Sequence, residues 1–498
     1  MDPSCRTMPP RFTNNMQALA LIHIHRSLLV ICLAVTLAAC GGYSKGMQQY
    51  SSLIQSNNYE QAYKKLDDIS SLQTTRNNFI YFAEKGRIAR LIGQYDTSNY
   101  YLNRADNLLE DTYKKLGQTI ASNLVNPMVE TYLAPDQERF MLHYYKALNY
   151  IQLNDKEGAV VEARRITLQA DRLTEKNMKA TDGPGAFAYT LQGIIYEQAG
   201  QINDAFISYR NAVDILLSSG TPNPNDRVAG EGLLTTAQQI GFTSEYDKYS
   251  QLLNITVSNN DSTSSLLVLH DEGWAPQKEN RYFYFNSYIP NNNDYLFTDR
   301  NQYNIPVQQT AFYSTSNVQA SWFKGLRVAT AVPRIISNNT WSGSASIHSA
   351  AIAFEKIQDL NQLASRPELL KQEIVKGAIR ALAKKGVEIA GQETARAIAK
   401  SNGNSNDDKG KTDAQKKEEQ RKRDEKADAI AGGVGLLLNL VNQVSEKADT
   451  RTWSSLPAGV YAGRVPLKPG ANTIVLSGTS GNKTIEVNAV PGLQVITW

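Results

Sequence analysis

One order of small, large and turn residues recurs along the first half of this chain and leaves few folds open. It runs NNYEQAYKKLDDI from Asn57, GRIARLIGQYDTSNYYLNRADNLL from Gly86, ALNYIQLNDKEGAVVEARRI from Ala147 and GIIYEQAGQINDAFISYRNAVDIL from Gly193. In the last copy the key positions are Gly193, Tyr196, Gly200, Ala205, Tyr209 and Ala212. Gly193 and Ala205 are small enough to let two helices cross closely, and Tyr196 and Tyr209 fill the space between them. Gly200 ends the first helix with a left-handed cap. The turn residues Asn57, Gly93, Asn154 and Gly200 are 36, 61 and 46 positions apart, and Gly241 closes a fifth, weaker pair.

This pattern resembles the tetratricopeptide repeat, whose period is about 34 residues. The longer spacings then mark insertions. One such copy is ordinary amphipathic core, but several in succession predict an α-solenoid.

Ahead of the repeats, Ser27 to Ala39 read SLLVICLAVTLAA, an uncharged run of 13 residues behind Arg26. A bilayer core needs about 20 residues, so the run is too short to span one. A basic flank, a short apolar segment and a small-residue exit form the layout of a secretory signal. Leu37-Ala38-Ala39-Cys40 resembles the bacterial lipobox, which implies cleavage before Cys40 and a diacylglycerol on its sulfur. Gly41-Gly42-Tyr43-Ser44 would follow as a tether, and either Met1 or Met16 can be the start. Cys5 and Cys32 would leave with the signal, so the mature chain would hold neither a free thiol nor a disulfide. In the lipoproteins this segment resembles, Asp after the cysteine retains the protein at the inner membrane. Gly41 stands there instead, so the expected location is the outer membrane, lipid-anchored and facing the periplasm.

Charge is nearly balanced: 52 basic and 48 acidic residues. Without residues 1–39, which hold three Arg and one Asp, 49 and 47 remain. No basic face follows, so nucleic acid is not an expected partner.

Several blocks match more than a repeat. ERFMLHYYKALNY (138–150), VEARR (161–165), residues 186–213, LLVLHDEGWAPQKE (266–279) and DTRTWSSLPAGVYAGRVPL (449–467) resemble a family of bacterial lipoproteins with tetratricopeptide-like repeats. The likeness spans most of the mature chain and departs from the family near 291–304 and 402–428. It brings no established activity. Some members are encoded beside lipoproteins that regulate peptidoglycan synthesis.

The fold expected is α+β: an N-terminal α-solenoid followed by a β-rich domain interrupted by helices. In this plan 1–39 is the signal, 40–255 the repeat domain and 256–345 a β-rich region. Helices occupy 346–401, a charged disordered insert 402–428 and an apolar helix 429–448. Strands in 449–498 complete the same β domain. The alternation of RYFYFNSYI and the apolar run Leu266–Leu269 are strand signals.

Reaction chemistry finds little purchase. The stretch from Gly403 to Thr412 has six residues between its glycines where a phosphate loop requires four, and no strand precedes it. Gly433-Val434-Gly435 lacks a third glycine. The mature chain keeps His143, His270 and His348 without paired spacing, so no zinc site is expected. His270 and Asp271 read as turn organisers, with Trp274 packing on Pro276. No catalytic residue, metal or cofactor is assigned. Glu138, Glu162, Arg164 and Arg165, with His143 nearby, are candidates for a partner-binding patch on the concave face, because a guanidinium suits carboxylates. The competing reading is an ordinary exposed i, i+3 pair between Glu162 and Arg165. The expected function is a non-enzymatic envelope scaffold whose solenoid binds a protein partner. The alternative is a cell-wall-associated enzyme or a regulator of peptidoglycan synthesis.

Overall fold

The computed structural model describes residues 43–116, 130–175, 185–218, 227–257, 264–308, 326–332, 334, 343–347, 350–364, 367–401, 412–445, 448–478 and 481–498. The signal, Cys40 and His348 lie outside these residues.

Ten helices form five antiparallel pairs among the described residues: α1 (43–55) with α2 (Tyr59–Asp68), α3 (Asn78–Leu91) with α4 (Tyr95–Leu116), α5 (Asp136–Gln152) with α6 (Lys156–Glu175), α7 (Gly185–Ala199) with α8 (Ile202–Ser218), and α9 (Arg227–Ile240) with α10 (Thr243–Leu253). The five turn residues predicted from sequence stand between the partners. Asn57, Gly93, Asn154, Gly200 and Gly241 all have positive φ, from 57° to 82°. Each turn closes the same way. The amide after the left-handed residue donates five positions back: Asn58 to Leu53, Gln94 to Ala89, Asp155 to Tyr150, Gln201 to Tyr196 and Phe242 to Ala237, at 2.8–2.9 Å. The left-handed residue itself donates three back. These two bonds satisfy carbonyls that the helix end would otherwise leave unpaired.

Small residues then set the helix approach. A Cβ at Gly86 would lie 2.7 Å from the Leu102 side chain, and one at Gly193 would lie 2.7 Å from the Tyr209 ring, 16 residues on in both copies. A Cβ at Gly232 on α9 would meet the same tyrosine at 2.5 Å. Tyr209 is therefore wedged between two glycines of successive pairs.

The strands form three four-stranded sheets. The first has the order β12 (Gly492–Thr497), β1 (Ser264–Glu272), β9 (Gly459–Pro466), β8 (Glu355–Asp359), with β12 parallel to β1 and the rest antiparallel. The second has the order β11 (Gly481–Asn488), β10 (Ala471–Gly478), β6 (Ser344–Ile347), β7 (Ala350–Ala353). The third has the order β4 (Asn304–Gln308), β3 (Asp294–Asp299), β2 (Gln277–Ile289), β5 (Leu326–Val332).

The first sheet is buried on both faces, which explains the unbroken apolar run of β1. Leu267, Leu269, Val460, Ala462, Leu493 and Val495 join the core of the helical repeats. The alternate residues Leu266, Val268, Tyr461 and Val465 pack on Ala345, Ile347, Ile474 and Leu476 of the second sheet. The layers run from α2, α4, α6, α8 and α10 outside, through α3, α5, α7 and α9, to the first sheet and then the second. The third sheet packs Phe283, Phe297, Ile305 and Val328 on Ile374 and Ala378 of a long helix, α12 (Pro367–Ser401).

Three expectations change. The β region is not one unit, because β2 to β5 form a separate sheet covered by α12 while β1 joins the C-terminal strands. Within the region expected helical, residues 346–347, 350–353 and 355–359 lie in strands, and among the described residues only a short helix, α11 (Leu360–Ala364), precedes α12. The alternation of Ala345 and Ile347 against β10 overrides the helical spacing of the alanines. The charged insert and the apolar helix are not separate elements either. Residues 413–445 form one helix, α13, antiparallel to α12, with Ala427 and Ala431 buried. Its charged half is laced by Glu418–Arg421 and Arg421–Glu425 pairs along its own surface and by Arg396–Asp428 across to α12. The part of the insert at 402–411 lies outside the described residues.

Candidate functional site

The inner helices carry charged residues where a solenoid wall is normally apolar. Glu84, Arg87 and Arg90 of α3, Glu138 of α5 and Glu197 of α7 are all buried. Burying a charge is costly unless it is paired and hydrogen-bonded, and each of these has partners from the far end of the chain.

Residues 451–456, between α13 and β9, cross the inner helices α3 and α5 of the repeats. Glu84 Oε1 accepts from the Ser454 amide at 2.6 Å and the Ser454 hydroxyl at 2.7 Å. Its Oε2 accepts from the Ser455 amide at 3.2 Å and the Tyr50 hydroxyl at 2.8 Å. Glu138 Oε1 accepts from the Trp453 amide at 2.9 Å and the Thr452 hydroxyl at 3.0 Å, while Tyr132 donates to the same carboxylate at 2.8 Å. Arg87 Nε donates to the Ser455 carbonyl at 3.3 Å. Arg451, 1% exposed, donates to Asn77 at 2.8 Å, to the Glu130 carbonyl at 2.9 Å and to Asp449. The Trp453 ring, fully buried, packs on Phe79 and Tyr145. Burial pushes the Glu84 and Glu138 carboxyls above the ordinary range, and the converging donors oppose the shift.

Two more ties follow the same rule. Asp271, at the end of β1, accepts from Arg87 at 2.9 Å, Tyr144 at 3.0 Å and Tyr145 at 3.1 Å. Arg464 of β9 forms a fork on Glu197 at 2.9 and 2.5 Å, and the Tyr209 hydroxyl joins it at 2.8 Å. The inner helices α3, α5 and α7 are therefore covered by the chain itself.

This splits the predicted patch into three places. Glu138 is in the groove, beneath Trp453, and open to no partner. His143 and Glu162 are buried between α4, α5 and α6. There His143 Nδ1 lies 2.8 Å from Glu162, and Lys146 donates to Asp106 at 2.8 Å and pairs with Glu162 at 2.9 Å. Arg165 reaches into this cluster, donating to Asp106 at 2.8 Å, with 43% of its side chain exposed. Burial alone would raise the Asp106 and Glu162 carboxyls, but His143 and Lys146 beside them hold both below the ordinary range. Arg164 faces outward and donates to Tyr196 at 3.2 Å. The Glu162–Arg165 pair weighed from sequence is not what either residue uses.

His270 and Asp271 also change role. Asp271 ties β1 to the repeats rather than shaping a turn. His270 bridges the Trp498 carbonyl at 2.7 Å and Glu272 at 2.8 Å. Trp274 packs against the repeat core. Sequence reasoning missed Glu84, Arg87, Arg90, Glu197 and Arg464. The available signal was four charges, Glu84, Lys85, Arg87 and Arg90, within one otherwise apolar helix.

What remains exposed on the repeats is the outer face. Glu157, Val161, Arg164 and Leu168 are exposed at i, i+4, i+7 and i+11 of α6, a single stripe along the helix. Val161 is 47% and Leu168 56% exposed, and Ile207 on α8 is 45% exposed. Among the described residues no group of three or more His, Cys, Asp or Glu is arranged to hold a metal ion, and no helix is long and apolar enough to cross a membrane.

No protein-family model matches the chain. No curated protein matches its sequence. Solved structures do overlap it in part. A Podosopora anserina kinesin light chain with nearly identical TPR-like repeats is 14% identical, covering 42% of this chain and 92% of its own, with a TM-score of 0.31. A mutant of MamA is 16% identical over 42% of this chain and 95% of its own, with a TM-score of 0.27. The TPR2AB domain of yeast Sti1, in complex with pHSP90, is 15% identical over 41% and 76%, with a TM-score of 0.17. The repeat assignment rests on the five identical turns and the helix pairing described above.

Proposed function

We propose that this protein is a non-enzymatic adaptor of the bacterial envelope, lipid-anchored through Cys40 in the outer membrane, that captures a protein partner on the outer face of its helical repeats. The observation that carries the reading is the α6 stripe. Apolar Val161 and Leu168 flank the Arg164 guanidinium on a surface left open while the inner helices are covered. Asp204, at the start of α8, lies near enough to Arg164 to act on it electrostatically, which extends the patch towards Ile207. Arginine is among the residues enriched at interface anchors, and Val161 and Leu168 add exposed apolar area beside it. The lipid anchor is supported by the Leu37–Cys40 motif alone.

The experiment is crosslinked capture from membranes with Val161→Glu/Leu168→Glu and Arg164→Ala/Arg165→Ala chains. Both should lose specific partners at least tenfold with circular dichroism unchanged, while Cys40→Ser should shift the protein to the soluble fraction. Equal capture by both double variants would refute the outer-face reading, and Cys40→Ser remaining membrane-bound would refute the anchor.

A further inference from the structure

The outer helices repeat one frame. Each begins two positions after its left-handed turn residue: Tyr59 after Asn57, Tyr95 after Gly93, Lys156 after Asn154, Ile202 after Gly200 and Thr243 after Gly241. Positions counted from those turns are therefore equivalent from helix to helix. Seven past the turn, the three central outer helices carry Tyr100 on α4, Val161 on α6 and Ile207 on α8, 54%, 47% and 45% exposed. The same position on α2 and α10 is an exposed lysine, Lys64 and Lys248. A single exposed apolar residue is ordinary. Three at one level of successive helices, with a lysine at either end, form a row whose middle is Val161.

A row that is symmetric about its middle matches itself. A two-fold axis beside Val161, perpendicular to the outer face, turns every helix end for end and exchanges α4 with α8. Val161 then packs beside its own copy, and Tyr100 meets Ile207 of the second chain on both sides of the axis. The levels either side of the row are exchanged as well, so the third position past each turn meets the tenth. On α6 this brings Glu157 to Arg164 of the second chain. Between α4 and α8 it brings Asp96 to Arg210 and Asn203 to Asn103. Further out, Leu168 meets Leu153, which is exposed at the turn before α6. Each exchange thus sets acid on base, amide on amide or apolar on apolar. The charged groups are available for it. The Asp96, Glu157 and Arg210 side chains make no hydrogen bond among the described residues, and Arg164 uses only its Nε, on Tyr196, which leaves both terminal nitrogens to take a carboxylate. Lys64 meets Lys248 only at the solvent-exposed ends, where salt screens the repulsion.

We infer that the outer face binds a second copy of this chain about a two-fold axis beside Val161. The inference rests on the outer-face reading above and names the partner. In a two-fold contact residue i meets j while j meets i, so the same patch must carry both halves of every pair. A surface for a different protein needs no such symmetry, and the match of Glu157 with Arg164 and of Asp96 with Arg210 is what favours the second copy. An apolar centre with charged pairs around it is the usual anatomy of such a contact.

The test is sedimentation of the full chain in detergent micelles, where a dimer that dissociates on dilution is expected. Glu157→Arg and Arg164→Glu, both at exposed positions, should each weaken dimerisation by at least about tenfold, because each sets like charges against each other, with circular dichroism unchanged. Combined in one chain, the two substitutions should restore the dimer, since the exchanged charges again meet their opposites. Ile207→Glu should also weaken it, although Ile207 lies on the neighbouring helix. A monomer at every concentration, single variants that dimerise as the native chain does, or a double variant no better than the singles would each overturn the inference. That failure is distinct from failure of the outer-face reading. If the chain is monomeric and Val161→Glu/Leu168→Glu still abolishes capture of a different protein, the second copy is overturned and the outer face stands as a binding surface.

Discussion

Glu84 shows what one buried carboxylate does here. Four donors converge on it, two of them backbone amides of residues 454 and 455 that would otherwise be buried without a partner. Removing one partner from such a site costs more than the net strength of the bonds, because the remaining groups stay desolvated. Glu84→Ala is expected to destabilise by about 3–5 kcal/mol, read from the urea midpoint at unchanged slope. A loss below about 1 kcal/mol would mean the segment is not held there. Glu355 behaves in the opposite way. Burial, with Glu231 nearby, pushes its carboxyl up to about 7, although it accepts from the Val228 amide at 3.1 Å. Its folded value lies above the unfolded one, so the folded state binds the proton more tightly. Stability attributable to this group falls as pH rises through the ordinary carboxylate range to about 7 and stays low above it. Glu355→Gln should therefore melt higher than the native chain at pH 8, by about 1 kcal/mol after solvent screening, and nearly equal it at pH 5. An identical difference at both pH values would contradict this assignment.

At the scale of elements, the helix pairs depend on glycines that admit a large neighbour. Tyr209 cannot retreat from Gly193, because Gly232 closes the other side and its hydroxyl is engaged by Glu197. Gly193→Ala should cost about 1–3 kcal/mol through overpacking, and an unchanged melting temperature would show that the crossing has slack. These elements were the legible ones. A left-handed turn announces itself through Asn or Gly in a fixed frame, and all the turn positions read that way have positive φ. The strands at 344–359 were not legible. They are only four or five residues long, and β6 and β8 pair with the edges that β10 and β9 offer, with β7 added to β6. The continuity of α13 was hidden for a related reason. A run of Lys, Glu and Arg looks like solvated coil until i, i+3 and i, i+4 pairs and a helical partner are supplied.

The whole molecule explains why the patch was misplaced. Glu84 and Ser454 are 370 positions apart, and Arg87 and Ser455 are 368 apart. Local periodicity carries no information about such partners, so an acidic residue facing the concave side reads as open to ligands. The two ends of the chain instead build one core. Leu267, Trp453 and Val495 belong to the same apolar cluster as Ile80 and Leu148. The inner helices of the repeats are covered by the chain's own C-terminal segment. Native-state hydrogen exchange tests this directly. The amides of Trp453, Ser454 and Ser455 should exchange as slowly as the interior of α5, with protection lost only in global unfolding. Exchange of these amides at the rate of a free peptide, while α5 remains protected, would contradict the covering of the inner helices by this segment.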